Sequence, residues 1–250
     1  MNNLSPQNPF FEAYPTLHGV VPFDKIKIED YEPAIREGIR RQNAEIEAII
    51  KNSKTPTFAN TIAAYEKSGE MLQRVSAVFD NLLSAETDDE MQELAKTLMP
   101  LMSKHANNIS LNQDLFTRIK TVYEQQDKET LNPEQEKLLK DIYNGFVRNG
   151  ANLQAEAKEK YRTLCKELSL LTLQFSENNL KETNDYKLVI TDKSQLAGLP
   201  ESAIEAAKET AKEKETEGWV FTLQAPSYGP FMMYAENRNL RRELYMAYNT

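Results

Sequence analysis

The sequence holds a single cysteine, Cys165, in 250 residues. An internal disulfide is therefore impossible within it, and a zinc site made of four cysteines is excluded. Histidine is nearly as scarce, since only His18 and His105 are present. The helical zinc motif His-Glu-x-x-His needs two imidazoles one turn apart and a glutamate beside the first. Neither histidine is followed by glutamate, so these residues carry no such motif.

Glycine and long apolar runs are also rare. The chain has only eight glycines and 27% charged residues, which indicates long, solvated helices. No run approaches the roughly 18 apolar residues of a membrane span, and the start MNNLSPQNPFFEAYP has no basic segment followed by an apolar one. No P-loop or Gly-x-Gly-x-x-Gly is present, so a standard nucleotide site is unsupported. We expect a cytoplasmic protein, or a periplasmic one if a signal peptide has been removed.

The charge balance is acidic, with a net charge of −8 and a pI near 5.1. Such a chain has no general attraction to nucleic-acid phosphates or to anionic lipid, and we expect neither as a partner. The acidic run Asp88-Asp89-Glu90 lacks the loop spacing of a calcium-binding EF-hand. It suits the positive end of a helix better.

Apolar residues recur every three or four positions along most of the chain, which predicts a mainly α fold. An extended, proline-punctuated arm runs to about Lys27, and the helix after it carries Pro33, which is tolerable in an opening turn. A second helix is predicted through TPTFANTIAAYEKSGEMLQRVSAVFDNLLSAE. The whole is predicted to be a bundle-like array of long helices with a small two-stranded β element near residues 186–224.

Helix starts are predicted from polar side chains that can accept backbone N–H groups. Thr87 and Glu90 have the spacing of a capping box at the start of a third helix. Asn112 can cap a fourth helix, and Asn132, followed by proline, can cap a fifth that ends near Gly150.

A sixth helix is predicted to be the longest. Its apolar positions alternate mostly by three and four residues: Leu153, Ala157, Leu164, Leu168, Leu171 and Phe175. Such a narrow, coiled-coil-like seam predicts packing along another long helix. Cys165 lies in this helix with no histidine nearby in sequence, so we interpret it as a buried or half-buried small apolar residue rather than a nucleophile.

Two short β-branched and aromatic segments, YKLVIT from Tyr186 and WVFTLQ from Trp219, are predicted to pair as strands, with a helix over about 201–217 between them. The following APSYGP is rich in turn formers. We interpret it as a connection into the last helix, although Tyr228 within it could reach a ligand. The next four residues are predicted to be core: Phe231, Met232, Met233 and Tyr234.

The two histidines are weak candidates for chemistry. His105 falls on the apolar face of the third helix, which favours a hydrogen-bonded structural histidine over a metal ligand. His18 lies in the arm and is a still weaker candidate.

The last segment, NRNLRRELYMAYNT, has the pattern of an amphipathic helix, with Leu240, Leu244, Ala247 and Tyr248 on one side. No glycine, proline or polar tail closes it. We therefore expect the chain to have been cut at Thr250. Within it, the Asn149-Gly150 turn predicts a division into residues 1–150 and 151–250, without a flexible linker.

Several segments carry a resemblance. NPF at Asn8, PFDKIKIEDYEPAIREGI, EIEAI and TFANTIAAYEKSGEMLQRVSAVF resemble the amino-terminal region of bacterial peptidyl-dipeptidases, or dipeptidyl carboxypeptidases, in the thimet oligopeptidase family of zinc peptidases. LTLQFSENNL, LAGLP and TLQAPSYGPFMMYAENRNLRRELYMAY resemble the stretch before the metal motif in this family, which also includes oligopeptidase A.

The resemblance implies a mostly helical, two-lobed peptidase with a deep channel that admits oligopeptides. It implies a zinc ion held by two histidines and a glutamate, a glutamate general base, and release of dipeptides from the carboxyl end. Those residues have no counterpart here, so we assign no catalytic, cofactor-binding or metal-binding residue. Residues 1–150 would form a channel wall or lid, and 151–250 the start of a truncated catalytic lobe whose remainder is the partner of this chain.

Two alternatives remain open. The chain could be a free-standing helical interaction module that binds a partner through an exposed face. It could also be the equivalent part of an endopeptidase similar to oligopeptidase A.

Overall fold

The computed structural model describes residues 8–128 and 130–249, and these are mainly α-helical, as predicted. The helices are α1 Ile28–Ile50, α2 Ala63–Glu66, α3 Glu70–Ala85, α4 Asp89–Ser110, α5 Gln113–Glu124, α6 Pro133–Arg148, α7 Ala155–Asp185, α8 Glu201–Glu213, α9 Ala225–Tyr234 and α10 Arg238–Asn249. The predicted β element is confirmed as an antiparallel pair, β1 Leu188–Ile190 and β2 Trp219–Phe221.

The chain divides into two compact units, and the division falls inside α7. Unit 1 runs to Leu173 and unit 2 begins at Gln174. Gly150 has φ 87 in the turn after α6, and α7 begins at Ala155. The predicted division into lobes of residues 1–150 and 151–250 concerns a longer protein and stays a prediction.

The arm before α1 is anchored to that helix. Phe10 is fully buried, and its ring lies 5.3 Å from that of Tyr31. Asn8 accepts the N–H of Phe10 and donates to the carbonyl oxygen of Asp30 at 2.9 Å. The arm is less extended than predicted, because it forms short 3-10 turns at Pro9–Phe11, Leu17–Gly19 and Phe23–Lys25. Its first seven residues lie outside the described part of the chain.

Unit 1 has two apolar clusters, and α1 contributes to both. Ile46 and Ile49 pack with the side chains of α5 and α6, whereas Tyr31 and Ile35 pack with those of α3 and α4. Each large apolar side chain buried in this way contributes roughly 1.5–3 kcal/mol. α1 therefore joins the two halves of the unit.

Two predicted caps are confirmed. The side chain of Asn112 accepts the N–H of Leu115 at 2.9 Å at the start of α5. At the start of α6, Asn132 accepts from Gln135 at 2.9 Å, and the side chain of Gln135 accepts the N–H of Asn132 in return. Both helices thus begin where a side chain satisfies a free backbone donor.

The predicted Thr87–Glu90 capping box is wrong by one residue. The cap of α4 is Asp88, whose carboxylate accepts the N–H of Met91 at 2.8 Å. A carboxylate satisfies that donor and also interacts favourably with the positive end of the helix. The acidic run is therefore used as a helix start, as its charge predicted.

Two predicted helices differ in extent. α1 begins at Ile28, so Pro33 lies in its second turn rather than its opening turn. The predicted second helix is broken into a π turn at Phe58–Ile62, α2 and α3, with the break at Gly69, where φ is 79. Because the apolar spacing continues across Gly69, the sequence pattern did not indicate the break.

In unit 2, the two-stranded sheet and α8, α9 and α10 surround one apolar cluster. The register pairs Leu188 with Phe221 and Ile190 with Trp219. Phe231 and Leu244 are fully buried at the centre of the cluster.

The APSYGP stretch is helical, which corrects its interpretation as a connection. Pro226 stands in the first turn of α9, where its missing N–H would have had no partner. Phe231 is buried as predicted, but Met233 and Tyr234 are 69% and 51% exposed and are not core.

α10 confirms the amphipathic pattern of the last segment, because Leu244 is buried while Leu240 and Ala247 pack against the same cluster. Thr250, where the cut is expected, lies outside the described residues. Among the helices described, none is long and apolar enough to cross a membrane.

Candidate functional site

The candidate residues for chemistry lie on three different elements of unit 1. His105 is only 5% exposed, and its Nε2 lies 2.7 Å from Oε1 of Gln42. Burial lowers the pKa of His105 below its usual 6.5, so the neutral imidazole is favoured. His18 lies exposed in the turn Leu17–Gly19, and Cys165 is half-buried on α7. His105 is therefore buried and hydrogen-bonded, as the sequence predicted, and Cys165 has the predicted degree of burial.

The residues that the structure describes contain no group of three or more histidine, cysteine, aspartate or glutamate side chains placed to hold a metal ion. Tyr228, considered for a ligand, stacks on Tyr248 of α10 with ring centroids 4.2 Å apart.

A polar cluster at the break between α2 and α3 was missed by sequence reasoning. The N–H of Gly69 donates to Oε2 of Glu45 at 2.7 Å, so a side chain of α1 satisfies the donor freed at the break. A Cβ at Gly69 would lie 2.3 Å from Nε2 of Gln42, the same side chain that contacts His105. The cluster therefore fixes how α1, α3 and α4 meet. The sequence Ser68-Gly69 was its only local signal.

A second polar cluster lies on α1. Glu37 is 7% exposed and accepts from Arg40 at 2.7 Å and from Arg41 at 2.8 Å. Hydrogen bonds from Arg40, together with Arg41 and despite burial, lower the pKa of Glu37 to about 2. All three groups belong to one helix, so this cluster supports the helix rather than a ligand.

The face that α7 turns toward unit 1 is largely polar. Nζ of Lys158 donates to the carbonyl oxygen of Leu111 at 3.2 Å, and Nη1 of Arg162 donates to Oδ1 of Asn108 at 2.6 Å. The hydroxyl of Tyr161 donates to Asn149 at 3.2 Å. Leu173 is buried there as well.

Three other leucines of α7 within unit 1 point away from this face. Leu164, Leu168 and Leu171 are 53%, 63% and 61% exposed, and we call these three residues the leucine seam. Among the described residues of unit 1, no helix covers them, since all three side chains are exposed, so the predicted packing along another long helix is not found within this unit. Phe175, in unit 2, is likewise 73% exposed.

Unit 2 contains a pocket of about 140 Å³ between α8, β2 and the start of α9. Thr222 is 8% exposed, and its backbone N–H donates to the hydroxyl of Ser227 at 2.9 Å. The described lining residues include no titratable group, so the pocket offers no acid or base for catalysis: Ala203, Ala206, Ala207, Thr210, Phe221, Thr222, Gln224, Pro226 and Ser227.

Comparison with known proteins finds similar peptidases in bacteria. The chain is 36% identical over 246 residues to dipeptidyl carboxypeptidase of Escherichia coli (strain K12), covering 98% of this chain and 36% of that protein. It is 32% identical to oligopeptidase A of Haemophilus influenzae, covering 99% of this chain and 36% of that protein. Over this part of their length the chain is homologous to dipeptidyl carboxypeptidase and oligopeptidase A, which are peptidases of the thimet oligopeptidase family.

The likeness to a further peptidase has the same extent. Oligopeptidase A of Escherichia coli (strain K12) is 31% identical, with 92% of this chain and 34% of that protein covered. The chain thus spans about a third of the length of the curated relatives that it matches. No family model matches it. All three of these relatives are named as peptidases.

Proposed function

We propose that this chain is the amino-terminal part of a longer zinc peptidase that releases dipeptides from the carboxyl ends of oligopeptides. The observation that carries the proposal is the 36% identity to a dipeptidyl carboxypeptidase over 98% of this chain and only 36% of that protein. Similarity along nearly the whole chain indicates a shared fold and origin. The partial coverage of the relative leaves room for a catalytic portion elsewhere.

The described residues do not fit a zinc site. Nε2 of His105 already contacts Gln42, and no set of three potential ligands is brought together in the described ranges. Structural and catalytic zinc sites in proteins need three or four such ligands. We therefore assign the zinc to the rest of the longer peptidase, and we derive no catalytic step from these residues.

The lobes follow from the same proposal. Residues 1–150 form a wall or lid of a channel that admits unstructured oligopeptides, and residues 151–250 begin the catalytic lobe. The remainder of that lobe is the partner of this chain. We place the longer enzyme in the cytoplasm, which fractionation of the source cells would test.

A graft tests the function. The aligned 246 residues of the Escherichia coli dipeptidyl carboxypeptidase are replaced by this chain, and release of carboxyl-terminal dipeptides from a synthetic oligopeptide is followed by mass spectrometry. We expect dipeptide release by the graft, and neither activity nor stoichiometric zinc in the 250-residue chain alone. Metal-dependent cleavage by the purified 250-residue chain, or a folded graft that binds zinc but has no activity, would contradict the proposal.

A second candidate is the equivalent part of an oligopeptidase A-like endopeptidase. It is favoured by the 31% to 32% identity to oligopeptidases A over 92% to 99% of this chain. Grafting the chain onto the Escherichia coli oligopeptidase A as well separates the two. The graft with the greater kcat/KM, relative to its own parent enzyme, identifies the subfamily.

The source gene tests the third possibility. An open frame beyond the Thr250 codon that reaches a His-Glu-x-x-His motif would support the peptidase. A stop codon at that point would support a free-standing interaction module.

A further inference from the structure

The polarity of α7 within unit 1 is the reverse of that of an ordinary surface helix. Surface helices bury their apolar stripe and expose charged residues. Here the side chains that contact the rest of unit 1 include Lys158 and Arg162, each in a hydrogen bond to a neighbouring residue of that unit. The leucine seam lies on a different side of the helix and remains exposed. The side of α7 that carries the leucine seam therefore has no packing partner within the described residues of unit 1, and we expect a further element to cover it.

The spacing of the leucine seam indicates which kind of element would cover it. Leu164, Leu168 and Leu171 are separated by four and three residues, which places them in one row along the helix. Rows of this spacing fit between the side chains of a facing helix. Exposed apolar rows on otherwise charged proteins mark interaction surfaces.

We propose that the leucine seam packs against a helix in the part of the longer peptidase that lies outside these 250 residues. This inference rests on the proposed function. The relatives are about three times as long as the matched region, so a chain of that length has ample residues to supply the facing helix.

A second copy of the chain is a poorer occupant. The leucine seam spans eight residues, which is about two helical turns. Two-chain coiled coils need a seam sustained over roughly three to four heptads, and stable protein interfaces bury about 1,000 Å² or more. A facing helix in the same chain avoids most of the entropy cost of association, so a short seam is sufficient there.

Cysteine labelling tests the inference. In a Cys165→Ser background, Leu168→Cys and Leu171→Cys are made in the 250-residue chain and in the graft described above. The rate of maleimide labelling is then measured in both proteins. Lys166→Cys is the matched control, because Lys166 is exposed on the same helix and lies well away from the leucine row. We expect labelling at positions 168 and 171 to be at least tenfold slower in the graft, with position 166 unchanged.

Equal labelling rates at 168 and 171 in the two proteins would overturn the inference. Protection in a graft without peptidase activity would support the leucine seam contact while the proposed function failed. Peptidase activity in a graft without protection at positions 168 and 171 would support the proposed function and contradict the leucine seam contact.

Sedimentation of the 250-residue chain keeps the inference testable if the graft does not fold. A monomer supports a facing helix in the same chain. A dimer that Leu168→Glu converts to a monomer, while Lys166→Glu does not, would assign the leucine seam to a second copy and overturn the inference.

Discussion

Nε2 of His105 on α4 lies 2.7 Å from Oε1 of Gln42 on α1, inside unit 1. The contact joins two helices that are distant in sequence, and it does so with a neutral imidazole, since burial lowers the pKa of His105. A charged imidazolium at this position would lose solvation that Gln42 alone does not replace.

The stability of unit 1 should therefore fall in mild acid. The pKa of His105 is 6.5 in the unfolded chain and lower in the folded one, so the unfolded state binds more protons as the pH falls. The contribution of neutral His105 is present above pH 6.5 and is lost as the pH falls through the folded-state pKa. Urea unfolding between pH 8 and 5 would measure it. In His105→Gln the pH dependence over this range should be smaller, and an unchanged profile would contradict this assignment.

Gly69→Ala should destabilise unit 1 by about 1–3 kcal/mol. Gly69 has φ 79, and a Cβ there would lie 2.3 Å from Nε2 of Gln42, which also contacts His105. Gly145→Ala is the matched control, because no atom lies within 4 Å of a Cβ at this α6 position. That change should stabilise by up to about 1 kcal/mol, since alanine favours helix. The melting temperatures of both variants, measured by thermal unfolding, test this prediction, and equal values would refute it.

Glu37→Gln should lower the free energy of unfolding by about 1–3 kcal/mol at pH 7, because it removes the carboxylate that accepts hydrogen bonds from Arg40 and Arg41. The pKa of Glu37 is about 2 in the folded protein, whereas its ordinary value is 4.5. The contribution of ionised Glu37 to stability is therefore complete above pH 4.5 and disappears as the pH falls toward 2. Denaturant unfolding at pH 7 and pH 3 would show a smaller difference from wild type at pH 3. Glu47→Gln, at an exposed ion pair with Lys51, should have little effect at either pH.

Local chemistry explains which parts of the fold could be predicted. The caps at Asn112 and Asn132 depend on residues three positions apart, and the strands depend on β-branched and aromatic runs, so both were visible in the sequence. The break at Gly69 is stabilised by Glu45, 24 positions away, and could not be predicted from local spacing. α9 was missed because Pro226 is a turn former that also suits a first helical turn.

For the candidate site, the sequence predicted the leucine row but not its surroundings. Periodicity shows that Leu164, Leu168 and Leu171 share one side of a helix, yet it does not say which side a neighbouring layer occupies. The side of α7 that faces the rest of unit 1 is set by the hydrogen bonds of Lys158 and Arg162 to residues more than 40 positions away. The absence of a catalytic motif, in contrast, could be read from the two histidines directly.

The reversed polarity of α7 predicts unequal effects of two leucine substitutions. Leu173 is 9% exposed and packs in the second apolar cluster of unit 1, whereas Leu168 is 63% exposed. In the 250-residue chain, Leu173→Ala should cost about 2–4 kcal/mol, while Leu168→Ala should change stability by about 0.5 kcal/mol or less. Chemical denaturation measures both. In the graft, where the proposed facing helix covers the leucine seam, Leu168→Ala should become costly as well. A Leu168→Ala effect as small in the graft as in the short chain would mean that the seam stays uncovered in the longer enzyme.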